Sequence, residues 1–329
     1  MADYNSRYLD HREKILDARI KGVYIKARKE LEESLAEFVK QKDRLSKAKQ
    51  TMVKEGKMTE EDYQDWLRRA VFRQQQWEQK VEHCTRMISE SNEKALAIIR
   101  KEQYNVYTEG ANHQVYEVEK RAHFQPDISF EIYDMPTVEK MITEKPALLP
   151  PGRINKKKDR AWNQGIISNC ITQGIIQGES VDKIAERIAR ETQRQNDASM
   201  VRYARTALTA AQNAGRIDTM KRTADKGIRV KKKWLATLDK RTRHSHQLLD
   251  GQEQEINRPF MSIFGKIMYP GDPEADPGDV YNCRCTLEYV YPDFEDLAEN
   301  VERYDQESGE DIEDMTYSKW KVWKAGKRK

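Results

Sequence analysis

The sequence predicts an α+β protein that is predominantly α-helical, with a long N-terminal helical hairpin and a small C-terminal α+β domain. Three observations lead there. Apolar residues recur at steps of three and four through the first hundred positions. Five prolines between Pro126 and Pro151 then interrupt the pattern. Strand-like stretches follow only after Gly227. The chain is accordingly read as a hairpin over 1–123, a proline-rich connector over 124–160, the α+β domain over 161–292 and a tail over 293–329.

The first helix spans residues 9 to about 50, because Leu16, Ile20, Val23, Ala27, Leu31, Leu35 and Phe38 form one stripe among Lys, Arg and Glu. It stops near Lys54-Glu-Gly56-Lys. Thr59-Glu-Glu-Asp62 supplies an N-cap with an acidic residue in the first turn. The next stripe, Tyr63, Trp66, Ala70, Trp77, Val81, Cys84, Ile88, Ala95 and Ile99, runs on toward Tyr107. Two such stripes joined by a short loop cover each other as an antiparallel hairpin. Beyond the Leu-Leu-Pro-Pro-Gly152 turn, an apolar helix over Ile166–Gln177 precedes one capped by Ser180 and an alanine-rich one over Ser199–Met220. Ile228–Leu238 and Val280–Val290 read as strands, and the proline-rich stretch from Met268 to Gly278 as a loop between them.

Composition bounds the classes of function. With 329 residues the chain can bury two cores, and 35% charged against 37% hydrophobic residues at mean hydropathy −0.95 suits long solvated helices. No run approaches the ~18 apolar residues of a membrane span. The start carries no secretory pattern, so a reducing cytoplasm is expected, with Cys84 and Cys170 as plain packing cysteines. Charge is segregated: ten Lys or Arg lie between Lys221 and His244, and eleven acids between Asp293 and Asp314. The last eleven residues hold six basic residues and two tryptophans. The segment Lys319-Trp-Lys-Val-Trp-Lys324 is a candidate for binding nucleic acid or an acidic surface, in a tail expected to be mobile. Lys231-Lys-Lys-Trp234 reads instead as a lysine-protected sheet edge.

Phosphate-loop, zinc-helix and nucleophile-turn signatures are absent from the sequence. Its chemistry gathers in Asp239-Lys-Arg-Thr-Arg-His-Ser-His-Gln-Leu-Leu-Asp-Gly251 and in Tyr281-Asn-Cys-Arg-Cys285. If Asn282–Thr286 is a strand, Cys283 and Cys285 share a face, and His246 arriving from an earlier turn makes three soft ligands for zinc. Asp239, Asp250 or His244 is the candidate fourth ligand. Two other readings stay open. In one, both cysteines pack in a small core beside a buried network of Asp239, Arg241 and Arg284. In the other, a cysteine is a nucleophile with His246 as its base.

These motifs, in this order, resemble the phage head morphogenesis family, the Mu F-like minor head proteins. The similarity covers about Ile166 to Tyr289 and includes Ala204-Arg-Thr-Ala207, Lys233-Trp-Leu-Ala-Thr-Leu-Asp239, Leu249-Asp-Gly251 and Asn282-Cys-Arg-Cys285. Asp239, Arg241, Asp250, Gly251, Asn282 and Arg284 are the residues of the structural motif. The chain departs from the family's pattern at Arg243, which stands where relatives carry a cysteine. It departs again at Val280-Tyr281, where relatives have His-Pro, and at Ala207, where a glutamate is common. A four-ligand metal site inferred from those relatives reduces here to His246, Cys283 and Cys285. The resemblance implies a structural minor capsid protein of a tailed phage or prophage, in the virion and in the host cytoplasm during assembly. Its implied partners are the portal protein, capsid or scaffold proteins and DNA, with no membrane and with a role in packaging or ejection. A metal- or thiol-dependent enzyme carried in the virion is the alternative.

Overall fold

The computed structural model describes residues 4–71, 74–122, 130–144, 156–177, 181–292 and 316–326. Much of the connector, the Ser180 cap and the acidic stretch of the tail lie outside the described residues. The architecture is α+β and predominantly helical. In order come α1 (Tyr4–Lys54), α2 (Glu60–Val71), α3 (Gln74–Arg121), α4 (Met135–Glu144), α5 (Lys156–Ile176) and α6 (Val181–Asp225). Then follow β1 (Lys231–Leu235), α7 (His244–Leu249), β2 (Glu253–Glu255), β3 (Phe260–Ser262), β4 (Gly265–Ile267), α8 (Pro277–Val280), β5 (Thr286–Val290) and α9 (Tyr317–Gly326).

Two compact units share these elements: residues 1–17, 99–152 and 202–329 form the first, and 18–98 with 153–201 the second. The second unit is all helix. Gly56, at φ 69°, ends α1 by donating to Val53 O at 3.0 Å, and Thr59 Oγ1 starts α2 by accepting from Asp62 N at 3.0 Å. Leu31 of α1 packs with Cys84 and Ile88 of α3, Ile167 of α5 and Ile188 of α6. A polar layer crosses this interior. Tyr24 donates to Asn92 Oδ1, Asn92 donates to Asn196 Oδ1 at 3.0 Å and to Asp159 at 2.9 Å, and Asn196 donates to Asn163 at 2.8 Å. Leu31 against Cys84 and Tyr24 against Asn92 set α1 antiparallel to α3.

In the first unit, α3 and α6 approach closely at glycines. A Cβ on Gly215 would stand 2.4 Å from Tyr107 O, and one on Gly110 would stand 2.9 Å from Gln212 O. The start of α1 joins α3 through Tyr4, which donates to Glu109 at 2.6 Å and stacks on His113 at 4.4 Å. Strands β2-β1-β5 form an antiparallel sheet in that order, with Lys232 opposite Gln254 and Tyr289 and Trp234 opposite Leu287. β3 and β4 make a separate hairpin. Trp234, Phe260, Leu287, Ile217, Met220 and Trp320 meet in this unit's core.

Several expectations change. α3 continues past Tyr107 to Arg121, and one helix of 45 residues, α6, replaces the two expected between Val181 and Met220. β1 is the central strand rather than an edge, so Lys232 is fully buried and donates to Met268 O at 2.8 Å. The end of the tail is not free: Trp320 is 0% exposed and donates to Glu119 at 2.9 Å, while Lys324 pairs with Glu119 and Lys321 with Glu109. Cys283 and Cys285 precede β5 instead of lying within it, and Val280 belongs to α8. Among the described residues, no helix is long and apolar enough to cross a membrane.

Candidate metal centre

Three backbone devices build the site. The first is the turn at Asp239, whose Oδ1 accepts from Arg241 N at 2.8 Å and whose O accepts from Thr242 N at 3.0 Å. It delivers the chain into α7, where Ser245, His246 and Leu249 point inward. The second is Gly251, at φ 75°, which reverses the chain after α7 and donates to Trp234 O at 2.9 Å. Beside it, Asp250 Oδ1 accepts from Ala236 N at 2.8 Å. The third is the Asn282 bend, in the left-handed region at φ 55°. Asn282 N donates to Thr206 Oγ1 at 3.0 Å, and Thr209 Oγ1 donates to Cys283 O at 3.0 Å. Helix α6 thereby holds the Asn-Cys-Arg-Cys segment from one side.

These devices bring His246, Cys283 and Cys285 together. His246 Nδ1 stands 3.3 Å from Cys285 Sγ and 3.8 Å from Cys283 Sγ, and Cys285 N donates to Cys283 Sγ at 3.4 Å. All three side chains are buried. Among the described residues they are the one trio of His, Cys, Asp or Glu whose donor atoms lie within 4.8 Å of one another. The other imidazole nitrogen, Nε2, faces Asp279 Oδ1 at 3.4 Å, and neither atom has a hydrogen-bond partner in the structure. Trp234 closes the ring's flank edge-on at 5.7 Å.

The two thiols are driven apart electrostatically. The hydrogen bond from Cys283 and the neighbouring imidazole pull Cys285 below the usual thiol range, while that same bond and burial push Cys283 well above it.

The remaining motif residues surround the trio without joining it. Asp239 accepts two bonds from the Arg284 guanidinium, at 2.6 and 2.7 Å, and this fork holds its carboxyl below the usual range. Arg241 reaches Asp239 at 3.7 Å. This network is exposed, contrary to the expected buried one, and Asp239, Asp250 and His244 are not among the clustered donors. A cleft of about 310 Å³ is lined by the trio together with Arg202, Arg205, Arg241, Arg243 and Arg284. A larger one, about 570 Å³, lies within the second unit beside Trp162, Cys170 and Arg187, away from this chemistry.

Sequence reasoning missed Asp279. Its signal was present in Asp276-Pro277, an N-cap followed by proline at the first helical position, and Asp276 Oδ1 indeed accepts from Gly278 N at 2.7 Å. That start places Asp279 in the first turn of α8, facing inward.

The arrangement offers two soft sulfurs and a nitrogen on one side, with a carboxylate behind the imidazole. It also contains the parts of a thiol, imidazole and carboxylate relay, although both sulfurs crowd a single nitrogen and both are buried.

Residues 165–288 match the family described as phage Mu protein F like protein. The minor head protein GP7 of Bacillus phage SPP1 is 29% identical over 203 residues, which are 60% of this chain and 63% of that protein. An NAD(+)–arginine ADP-ribosyltransferase, EFV, of Enterococcus faecalis is 36% identical over 175 residues, 51% of this chain and 33% of that protein. The chain thus spans a third of one of these relatives and under two thirds of the other. No solved structure matches it. Over residues 165–288, and in the order of the motifs within them, the chain is similar to the Mu F-like phage head morphogenesis family.

Proposed function

We propose that this chain is a minor head protein of a tailed phage or prophage, present while the head assembles and docking on the portal protein or the inner capsid. The observation that carries this reading is the match to GP7 of SPP1, which at 203 residues is longer than the Mu F-like span and so is not confined to that domain. The chemistry of the site agrees with a structural role, because both thiols are buried and the surrounding motif residues are spent on holding the backbone. The activity in the name of the Enterococcus relative belongs to that protein, since the likeness covers one third of it.

Contact with DNA during packaging or ejection falls, in this reading, to the arginine-lined cleft. In the basic segment Lys319–Lys324 that the sequence offers, Trp320 is fully buried and Trp323 half-buried, which leaves little surface for stacking.

The test is co-expression with the portal, scaffold and major capsid proteins of the phage or prophage that encodes the chain, followed by immunodetection in purified heads. The protein is expected in the heads at low copy, and its incorporation should fall when the portal protein is omitted. Heads that form with every component supplied and yet exclude the chain would overturn the reading.

A further inference from the structure

We propose that His246 Nδ1, Cys283 Sγ and Cys285 Sγ bind one Zn²⁺ ion, with Asp279 orienting the imidazole and the fourth position opening on the arginine-lined cleft. The proposal stands on the site alone and does not depend on a role in the head.

Geometry supports it first. Zn–S bonds of about 2.3 Å and a Zn–N bond of about 2.0 Å, at tetrahedral angles, place nitrogen and sulfur roughly 3.5 Å apart. The two separations in the structure, 3.3 and 3.8 Å, bracket that value. A hydrogen-bonded thiol and imidazole need only one sulfur near the nitrogen, whereas a chelate needs both. The donor set of two thiolates and an imidazole is also the one that soft or borderline divalent ions select.

The groups around the ligands support it independently. Cys285 N donates to Cys283 Sγ, an arrangement that stabilises a thiolate bound to a cation. Asp279 is 1% exposed, and its Oδ1 has no hydrogen-bond partner in the structure although it faces His246 Nε2. When Nδ1 is a ligand, Nε2 must carry the proton and needs an acceptor, and a buried carboxylate is the usual one. The carboxylate behind the ring is therefore explained by metal on the ring's other side.

The fourth position follows from the lining of the cleft and from the trio itself, which among the described residues gathers three donors and no fourth. Arg202, Arg205 and Arg243 stand around the opening with Arg241 and Arg284, so an exchangeable water or an oxyanion such as phosphate is the chemistry that suits it.

Metal content of the full-length protein, purified without chelator and reconstituted with Zn²⁺ before dialysis, should be about one zinc per chain. Co²⁺ in place of Zn²⁺ should give the sulfur-to-cobalt charge-transfer band and the strong visible bands of a tetrahedral ion. Asp279→Asn should keep those bands while weakening metal affinity about 10- to 100-fold. Cys283→Ser and His246→Ala should lose the bands. Should either variant fail to fold, the wild-type measurement still decides, because a reconstituted wild type without metal, or a cobalt form without the charge-transfer band, overturns the site. Rapid alkylation of Cys285 by iodoacetamide in the zinc-treated protein would overturn it in favour of a free reactive thiol. Inorganic phosphate should shift the visible cobalt bands, and an unchanged spectrum would overturn the open fourth position.

Discussion

One buried polar cluster in each compact unit is held in a different way. In the helical unit the amides of Asn92, Asn163 and Asn196 close on one another and on Tyr24 and Asp159, so the polar layer is held by its own members. In the other unit, His246 Nε2 and Asp279 Oδ1 lie buried 3.4 Å apart beside the cysteine pair, without hydrogen-bond partners in the structure. A buried polar atom left unpaired costs about 1–3 kcal/mol, so a group of them in one place calls for a compensating interaction. The first arrangement specifies how helices fit together. The second is what the proposed metal centre would account for, with the imidazole held between the sulfurs and the carboxylate.

The largest effect that would sharpen this contrast is expected at the end of the chain. Trp320→Ala empties a fully buried site in the mixed unit and leaves Glu119 without its indole donor. We expect a loss of about 3–5 kcal/mol in urea unfolding, with hydrogen exchange accelerating in β1 and β5 before the helices of the other unit. Uniform acceleration through both units would show that their interiors do not differ in this way.

A pair of mid-helix glycines tests the packing directly. Gly215→Ala forces a Cβ onto the backbone of Tyr107 and should cost about 3 kcal/mol. Gly165→Ala, in α5 of the helical unit, meets nothing within 4 Å and should instead stabilise by up to about 1 kcal/mol, because alanine is the better helix former. The measurement is the shift in urea midpoint, and equal signs for the two variants would contradict the close helix approach.

These residues also show what was legible in the sequence. Leu16, Ile20 and Leu31 repeat at helical spacing and are buried as expected, since periodicity reports a helix face directly. Periodicity cannot report what lies beside a strand. Alternation marked Lys231–Leu235 as a strand but not as the middle one, so the burial of Lys232 was out of reach. The three-residue strands β2, β3 and β4 are too short to carry a period at all.

The convergence of His246, Cys283 and Cys285 was legible from their types and spacing, although the local geometry differs from the strand imagined. The two cysteines face one way because the Asn282 bend and Thr209 fix the segment ahead of β5. Trp320 was hidden by the charges around it, which read as a solvated tail. Its acidic partner, Glu119, lies 201 residues away in sequence.

A smaller effect is expected inside the asparagine layer. Asn196→Leu removes the donor to Asn163 Oδ1 and one of the two acceptors of Asn92 Nδ2, which keeps Asp159. The expected cost is about 1–3 kcal/mol. Double substitution of Asn163 and Asn196 by leucine should recover part of it, because fewer polar atoms then remain unpaired. A double variant no more stable than the sum of its singles would mean that the layer is not a coupled network.

The smallest effect concerns Lys232, and its sign follows from linkage. Burial, with help from the charge of Lys221, lowers its pKa from 10.5 to about 8, while Asp272 opposes the change. The unfolded chain therefore holds this proton more tightly than the folded one. Below about pH 8 the lysine is charged in both states, and the full penalty of burying the charge is present. Between about 8 and 10.5 the folded protein releases the proton first, so this residue's contribution to stability rises with pH, by at most about 1.4 kcal/mol per unit. Buried tyrosines such as Tyr289 act oppositely at higher pH, because burial raises their pKa, but they are common to the wild type and a variant. Lys232→Met keeps an unbranched apolar side chain at this position and removes the titrating ammonium that lies over Phe260. Subtracting its stability from that of the wild type at each pH from 7 to 9.5 should give a difference that is flat below about 8 and then climbs in favour of the wild type. Parallel curves across the window would show that Lys232 titrates as an exposed lysine does, and that the mixed unit carries no buried charge in its central strand.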